Sequence, residues 1–339
     1  MTVLFYVSGH GYGHAVRAGE VIRELAKLRP DWRLLVRTQA PRRMFPDGVE
    51  YSSAAIESGV VEREAGVVID EEATRASLQQ LIEVWDDVVQ AETRFVLDQS
   101  VDLIVADIPP TAGDIAAAAH LPCVAITNFT WDWIFEPYAA DLLPRLESSY
   151  QRIGTLLRLP FFQPIRMDWF GCVVDIPLIA RVTDRTPLRQ ERKRVLFGSR
   201  AQVSDEALAR AIEDSPEFEI VLPCPDERFT HQLGECHLVV AKLGFSMLAE
   251  CIANRKPLLY PPRVGFREEG VLQAGLRDAL PSLAIPREDF YAGRWGRYLR
   301  QLSALPWTAN EMRTDGAAIA AGFLVESEAK WPSSKRRRR

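Results

Sequence analysis

The sequence is poor in the residues that mark secreted, metal-binding and membrane proteins. Its 339 residues include only five cysteines and five histidines. The cysteines lie singly, without CxxC spacing and mostly inside apolar stretches, so we expect reduced core residues rather than a disulfide set or a metal site. No apolar run approaches the roughly 18 residues that a membrane-spanning helix needs.

Basic residues are not in excess either. Lysine and arginine number 41 against 46 aspartates and glutamates, which gives a formal net charge of -5. A nucleic-acid-binding protein usually carries a basic face. The charge therefore argues against a nucleic-acid partner and favours small-molecule chemistry. The chain starts with a strand pattern rather than a basic leader, from which we expect a cytoplasmic protein without a membrane span.

Short apolar runs alternate with amphipathic helical patterns through most of the chain. This alternation is typical of parallel sheets covered by helices on both faces, an α/β fold. A long helix is predicted over 71–97, because its apolar residues recur on one face. The strand patterns of the first half are TVLFYV (2–7), RLLVR (33–37), DLIVAD (102–107) and PCVAIT (122–127).

The alternation is lost over residues 139–193 and then restarts, which predicts two domains, as the length also does. A helix capped by Ser204 and a short helix after Gly244 are expected in the second half. Its strand patterns are RVLF (194–197), EIVL (219–222), HLVVA (237–241) and PLLYP (257–261). The predicted divisions are an N-terminal domain (1–172), a C-terminal domain (173–325) and a basic disordered tail (326–339).

The segment SGHGYGHAVRAGEV is a glycine-rich connection between the first strand and the first helix. In an open parallel sheet such a turn lets the backbone approach a ligand at a helix N-terminus. The spacing is not the G-x-G-x-x-G of dinucleotide sites, and the loop carries His10 and His14. A histidine fixed there can act as a general base. The alternative is a tight turn at Gly9, Gly11 and Gly13, with a histidine capping the helix.

Three segments carry a resemblance to a known family: FYVSGHGYGHAVRAGEVIREL, VDLIVADIPPTAGDIAAAAHLPCVAITNFTWDWIFEPY and AKLGFSMLAECIANRKPLLYPPRVGFREEGVL. They resemble the N-terminal glycosyltransferase-like half of plant L-arabinokinases and its free-standing bacterial relatives. More distantly, they resemble the bacterial peptidoglycan GlcNAc transferase group. The resemblance covers most of residues 2–300. The sugar-kinase half of the plant proteins has no counterpart here, so kinase activity is not expected.

The resemblance implies the GT-B architecture, with two facing Rossmann-like domains that have parallel sheets. It also implies that the helical segment around 310–325 crosses back to the first domain. It implies transfer of a sugar from a nucleoside diphosphate sugar, most simply a UDP-sugar, to a small-molecule or glycan acceptor. The donor is a substrate, so no cofactor is expected. Two alternatives are hydrolysis of the nucleotide-sugar by water and a nucleotide-sugar-binding module without catalysis.

Metal independence is also expected. No Asp-x-Asp follows a strand, and Asp86 and Asp87 lie within the predicted long helix, on what we take to be its solvated face. Helix dipoles and basic side chains would then meet the charge of the leaving group.

In the N-terminal domain, the resemblance places His14 at the position that faces the reacting centre, as candidate general base. His10 would line the same loop. Arg17 would bind a phosphate or an acidic substrate, unless it is a surface arginine. Asp107, at the end of the third strand pattern, is either a cleft residue or a helix cap.

The motif TNFTWDWIFEPY follows a strand, so its side chains are expected at the acceptor. Trp131 and Trp133 would stack on a sugar-like acceptor, unless they are core residues. Asn128 and Asp132 would supply hydrogen bonds, and Asp132 is the second candidate catalytic residue. The segment IESGVVEREAGVVIDEEAT also matches the family and is a candidate acceptor-side loop.

In the C-terminal domain, the family holds the donor phosphates at a glycine-rich turn, here Gly244, Phe245 and Ser246, where Ser246 also suits an N-cap. Glu250 falls where the family binds ribose hydroxyls, the alternative being a solvent-facing glutamate. The other expected donor contacts are the phosphate partners Lys242 and Arg263, the sugar contacts Glu268 and Glu269, and Gly198, Ser199 and Arg200. Lys242 and Arg263 are equally compatible with ordinary surface charge.

Overall fold

The computed structural model describes residues 1–63, 67–183, 192–198, 203–223, 229–307 and 311–331. The strands in chain order are β1 (Thr2–Val7), β2 (Arg33–Arg37), β3 (Glu50–Ser52), β4 (Glu62–Arg63), β5 (Val68–Ile69), β6 (Leu103–Asp107), β7 (Cys123–Thr127), β8 (Thr155–Arg158), β9 (Cys172–Asp175), β10 (Lys193–Phe197), β11 (Phe218–Val221), β12 (Leu238–Val240), β13 (Leu258–Tyr260) and β14 (Ser282–Ala284).

The helices are α1 (Tyr12–Leu28), α2 (Glu71–Glu83), α3 (Trp85–Asp98), α4 (Ala112–Ala119), α5 (Trp131–Ala139), α6 (Leu143–Tyr150), α7 (Asp205–Asp214), α8 (Phe229–Gly234), α9 (Phe245–Ala253), α10 (Arg267–Ala279), α11 (Arg287–Tyr291), α12 (Gly296–Ala304) and α13 (Gly316–Glu326). Strands and helices alternate as the sequence predicts. The chain is an α/β protein.

The described residues form two units. The first contains Met1–Val61, Asp70–Ile179 and the described residues from Thr314 onward, and the second contains the described residues of Glu62–Ile69 and Ala180–Arg313. The division after Ile179 lies beyond the expected 172, because β9 is the edge strand of the first sheet and keeps this part of the chain in the first unit.

The C-terminal segment returns to the first unit, as the resemblance implies for the helical segment around 310–325, although the expected division at 325 placed it in the C-terminal domain. Helix α13 packs against α1, and the N–H of Gly316 donates to the Leu178 carbonyl at 3.0 Å. Beyond it, Glu328 is paired with Arg29, so the described residues 327–331 are held on the first unit rather than being disordered. Residues 332–339 of the expected basic tail lie outside the described residues.

The sheet of the first unit has seven strands in the order β3-β2-β1-β6-β7-β8-β9. Every neighbouring pair is parallel. The central strands β1, β6 and β7 are apolar along most of their length and almost wholly buried, as strands with both faces covered must be. All four strand patterns of the first half are confirmed to within one residue.

The sheet of the second unit has five parallel strands in the order β11-β10-β12-β13-β14. A core of Phe197, Phe290, Trp295 and neighbouring aliphatic side chains packs on it. Strands β4 and β5 form a short antiparallel pair that also belongs to this unit. Val68 of β5 forms an isolated parallel β-bridge with Val264.

Two local predictions are wrong. The expected long helix is two helices that meet at Val84, where the backbone leaves helical values at φ -103 and ψ 8. Apolar residues recur at helical spacing across Val84, so the sequence pattern does not predict the break. Because α3 begins at Trp85, Asp86 and Asp87 occupy its first turn rather than the interior of a long helix. Ser246 is not an N-cap, because α9 begins at Phe245 with Gly244 as its cap.

Candidate functional site

The strand order of the first sheet reverses between β1 and β6. In parallel α/β sheets, ligands bind outside the carboxyl ends of the strands at such a reversal. There, β1 leads into the glycine-rich loop and β6 ends at Asp107, and the N–H of Ser8 donates to the Asp107 carbonyl at 2.6 Å. Gly11 is the N-cap of α1 and has a φ of +72, a conformation that favours glycine.

His14 and Asp107 form a buried pair at this edge. Nδ1 of His14 lies 2.8 Å from Oδ1 of Asp107. The NH2 group of Arg17 also lies 2.9 Å from Nδ1, but its two hydrogens have acceptors in Oδ1 of Asp107 and Oγ1 of Thr127. We therefore assign the proton to Nδ1, because the reverse tautomer would set a lone pair against the carboxylate. Nε2 on the other side of the ring then carries the lone pair and is the basic atom. Helix α1 has no side-chain cap, so the alternative in which a histidine caps the helix is wrong.

Arg17, one turn further along α1, holds the same carboxylate. Its Nε donates to Oδ2 of Asp107 at 2.6 Å, and its NH2 group donates to Oδ1. Its NH1 group donates to Oδ1 of Asn128 at 3.0 Å. Arg17 is 2% exposed, so it is not a surface arginine, and in this structure it binds the carboxylate of Asp107.

The electrostatics of Asp107 follow from these contacts. Burial alone raises the pKa of a carboxyl group, but the charge of Arg17 and the contact with His14 hold the pKa of Asp107 below its usual value. Asp107 therefore stays ionised. An ionised carboxylate on Nδ1 fixes the ring's tautomer and stabilises the imidazolium that forms when Nε2 takes a proton.

Glu57 is a second buried carboxylate that contacts the glycine-rich loop, and the sequence analysis did not single it out. Its Oε1 accepts from the N–H of Gly9 at 2.6 Å, and its Oε2 accepts from Nε1 of Trp131 at 3.1 Å. Burial raises the pKa of Glu57. Its segment matched the family as a whole, but no spacing or charge pattern distinguished this residue.

The tryptophans expected at the acceptor are interior residues in this structure. Trp131 is 0% exposed and Trp133 is 3% exposed. The Trp131 ring packs against His10 at a centroid distance of 5.2 Å, edge to face, and against Phe129 at 5.3 Å. In this structure Trp131 therefore supports the loop that carries His10 and offers no open face to a ligand.

Asp132, the second candidate catalytic residue, is fully buried in α5. Its Oδ2 lies 3.3 Å from Arg166, whereas the carboxylate beside His14 is that of Asp107. Burial raises the pKa of Asp132, although Thr130 and Arg166 act in the opposite direction. This geometry gives Asp107, rather than Asp132, the place next to the candidate base.

The second sheet reverses its order between β10 and β12, so two loops meet there. Gly198 follows β10, and its N–H donates to the Val240 carbonyl at 2.8 Å. A Cβ on Gly198 would lie 2.9 Å from side-chain atoms of both Ala241 and Met247, so only glycine permits this approach. After β12 the chain reaches Gly244, the N-cap of α9. Ser199 and Arg200 lie outside the described residues.

The two expected phosphate partners are brought together by a residue that the sequence analysis did not single out. Nζ of Lys242 lies 3.3 Å from Oε2 of Glu62, and the NH2 group of Arg263 donates to Oε1. The Arg263 guanidinium also lies 3.8 Å from the centre of the Phe266 ring. Because the Arg263 side chain is 5% exposed, it is not an ordinary surface charge.

Glu250 is 3% exposed, so the solvent-facing alternative is wrong. It lies in α9, one turn after Ser246, and accepts from Nε of Arg181. Asn254 secures this partner, because its Nδ2 donates to the carbonyls of Arg181 and Glu250, both at 2.9 Å. The sequence analysis did not predict a role for Arg181, because this residue lies in the irregular stretch between the two predicted domains and matches no motif there.

Glu268 and Glu269 lie in the first turn of α10 and are both buried. Both carboxylate oxygens of Glu269 lie 2.9 Å from the N–H of Arg263, and Nε2 of Gln273 donates to Oε1 at 2.8 Å. Burial raises the pKa of Glu269 to about 7, although the contact with Arg263 acts in the opposite direction. Glu269 thus closes the loop that carries Arg263.

The described part of the chain contains neither a metal-binding cluster nor a membrane-spanning helix. No group of three or more histidine, cysteine, aspartate or glutamate side chains there is arranged to hold a metal ion. Among the same residues, no helix has the length and apolar character needed to cross a bilayer.

Comparisons with known proteins agree with this architecture. Residues 1–135 match the sequence model of a family described as glycosyl transferase family 1. The chain is 25% identical over 365 residues to L-arabinokinase from Arabidopsis thaliana. The alignment covers 95% of this chain and 34% of that protein. The chain therefore spans about a third of the length of this relative.

Among solved structures, the calicheamicin glycosyltransferase CalG4 is similar, with a TM-score of 0.61 at 15% identity over 97% of this chain and 96% of that one. Arabidopsis thaliana UGT89C1 complexed with quercetin has a TM-score of 0.58 at 15% identity, over 97% and 94% of the two chains. UGT89C1 has also been solved with UDP and with UDP-L-rhamnose. The chain thus has the GT-B fold of these glycosyltransferases.

Proposed function

We propose that this protein transfers a sugar from a UDP-linked donor to a hydroxyl group of an acceptor, with His14 as general base and without a metal ion. The observation that carries the proposal is the buried chain of Arg17, Asp107 and His14, which leaves Nε2 of His14 as the basic atom. The choice of UDP rests on the ligands of UGT89C1 and on the resemblance stated above.

In the proposed step, Nε2 of His14 takes the proton of the acceptor hydroxyl as its oxygen attacks the anomeric carbon of the sugar. A new carbon–oxygen bond forms while the bond from the anomeric carbon to the diphosphate oxygen breaks, and that oxygen leaves with the electron pair. Asp107 stabilises the resulting imidazolium, and Arg17 keeps Asp107 ionised.

The second unit would hold the donor. The N-terminus of α9 at Gly244 suits a phosphate, because backbone N–H groups and the helix dipole favour negative charge there. Lys242 and Arg263 add positive charge to the leaving diphosphate. Glu250 would accept hydrogen bonds from the ribose hydroxyls, held in place by Arg181.

The test is to incubate the protein with a panel of UDP-sugars and hydroxylated acceptors, with and without EDTA, and to detect UDP and the glycosylated product by mass spectrometry. We expect product formation that EDTA does not abolish. Release of free sugar without acceptor would instead identify a hydrolase. Donor binding without either product would identify a binding module.

His14→Asn supplies the matched comparison. We expect it to abolish most product formation, while His120→Asn, which makes the same change at an exposed position at the end of α4, retains the wild-type rate. Equal activity of the two variants would remove His14 from the chemical step.

A further inference from the structure

Glu62 places a carboxylate between two cations of the second unit. It is the first residue of β4, whereas Lys242 lies two residues before the cap of α9 and Arg263 follows β13. Its two oxygens are divided between these cations, Oε2 facing Lys242 at 3.3 Å and Oε1 accepting from Arg263. The cluster therefore combines two positive charges with one negative charge.

This cluster has unused capacity to bind an anion. Nε of Arg263 is buried and has no hydrogen-bond partner within the part of the chain that the structure describes. A buried polar group without a partner is costly, so such groups usually have a function or a ligand. Burial lowers the pKa of Lys242, and Arg263 lowers it further, while Glu62 acts in the opposite direction. An additional anion would stabilise both cations.

We propose that Glu62 is an internal counter-anion that competes with the diphosphate of the bound nucleotide for Lys242 and Arg263. This inference rests on the proposed function, because it assigns the two cations to the donor's diphosphate. A diphosphate brought to the same cations must share them with the carboxylate or displace it. Like charges a few ångströms apart repel each other strongly where water is scarce.

The competition discriminates between substrate and product. The diphosphate of a nucleotide-sugar is esterified at both ends, so it lacks the terminal phosphate charge. The nucleoside diphosphate that remains after transfer carries about three negative charges near neutral pH, because the second ionisation of a terminal phosphate has a pKa of about 6. Glu62 opposes the more highly charged product more than the donor. It therefore weakens product retention, and product release limits many enzymes.

The opposite role is positioning, in which Glu62 holds the two cations in place for the ligand. The two roles make opposite predictions for removal of the carboxylate. A counter-anion weakens anion binding, so its removal tightens binding. A positioning residue supports anion binding, so its removal weakens binding.

The experiment compares Glu62→Gln with Glu217→Gln by calorimetry, using pyrophosphate, UDP and UDP-glucose as probes. Glu217 is an exposed residue of the same unit and pairs with Arg300. Its variant therefore makes the same change of net charge without altering any of the three residues of the cluster. We expect Glu62→Gln to bind pyrophosphate and UDP about tenfold more tightly, an effect of one charge contact. We expect UDP-glucose to gain about threefold or less and Glu217→Gln to change none of the three affinities.

Glu62→Ala, which removes the carboxylate without adding an amide, must tighten pyrophosphate binding too, and thermal unfolding will establish that both variants fold. Unchanged or weaker UDP and pyrophosphate binding in folded Glu62 variants overturns the inference and leaves the proposed function intact. If pyrophosphate binds more tightly to the variants while UDP binds to none of the proteins, Glu62 competes with a diphosphate anion for the two cations, but the UDP-linked donor of the proposed function fails. An equal gain in affinity for UDP and for UDP-glucose would show that Glu62 does not discriminate between product and donor.

Discussion

His14 and Asp107 lie 2.8 Å apart although 93 residues separate them in the sequence. The contact exists because β1 and β6 are neighbours in the sheet, with Val7 opposite Asp107 in the register. The loop after β1 leads into α1, whose first turn places the imidazole of His14 beside the end of β6. The geometry joins the candidate base, a carboxylate that orients its ring and an arginine that keeps the carboxylate ionised.

The first prediction concerns this base. His14→Asn should lower kcat about 10²- to 10⁴-fold, because general-base catalysis typically contributes that much. The dissociation constant for UDP should change less than about threefold, since the residues assigned to the donor belong to the second unit. Steady-state kinetics and calorimetry measure the two quantities. A loss of UDP affinity that matches the loss of kcat would show instead that His14 acts through donor binding.

The second prediction concerns the orienting carboxylate. Asp107→Asn keeps the shape of the side chain but removes the charge that favours the Nδ1–H tautomer and stabilises the imidazolium. We expect kcat to fall about 10²-fold or more, with little change in the KM of the donor. Asp102→Asn is the control, because it makes the same change five residues earlier. Comparable kinetics for the two variants would exclude a role for Asp107 in the chemical step.

The third prediction tests how Arg17 and Asp107 stabilise the fold. Arg17→Met leaves a buried carboxylate without its cation, so the free energy of unfolding should fall by about 3–5 kcal/mol. The double variant Arg17→Met/Asp107→Asn removes the unpaired charge as well. Its loss in urea unfolding should be smaller than the sum of the two single losses. Additive losses would show that the two side chains stabilise the fold independently.

Much of the fold follows from the sequence. The strands of the first half are short apolar runs between helical patterns, and such runs predict buried parallel strands directly. The break at Val84 could not be predicted, because apolar residues continue at helical spacing on both sides of it. The segment DLIVAD predicts a strand that ends at Asp107. Asp107 lies beside His14 because β1 and β6 are neighbours in the sheet, and no local sequence pattern predicts that strand order.

The candidate donor residues show the same limit more strongly. Glu62 lies 180 residues from Lys242 and 201 residues from Arg263, and Arg181 lies 69 residues from Glu250. Each of these charged residues looks like an ordinary surface residue in the sequence. Only folding brings the pairs together, so a motif search finds one partner and misses the other.

The fourth prediction is a pH dependence of stability from Glu269. Its folded pKa of about 7 lies above the ordinary value of 4.5, so the folded state binds the proton more tightly than the unfolded state does. The associated stability is fully present below pH 4.5 and is lost as the pH rises to 7. Between pH 5 and pH 8 the wild type should lose about 2–3 kcal/mol more than Glu269→Gln. Parallel stability curves for the two proteins would contradict a raised pKa.

The fifth prediction concerns recognition of the ribose. If the carboxylate of Glu250 accepts hydrogen bonds from ribose hydroxyls, Glu250→Ala should weaken UDP binding by about 1.5–3 kcal/mol, the range for hydrogen bonds to a charged group. The same substitution should barely affect the binding of 2′,3′-dideoxyuridine diphosphate, which lacks both hydroxyls. This pair of ligands separates recognition from a general loss of structure, because disruption of α9 would weaken both nucleotides.

Arg181 extends the same measurement. It donates to Glu250 and is itself held by Asn254, so Arg181→Met should free the carboxylate to turn away from the ribose. We expect the preference for UDP over the dideoxy nucleotide to shrink without disappearing, since the acceptor group is still present. Calorimetry with both nucleotides measures that preference as a ratio of dissociation constants. A ratio equal to that of the wild type would show that Arg181 anchors the chain before β10 without positioning Glu250.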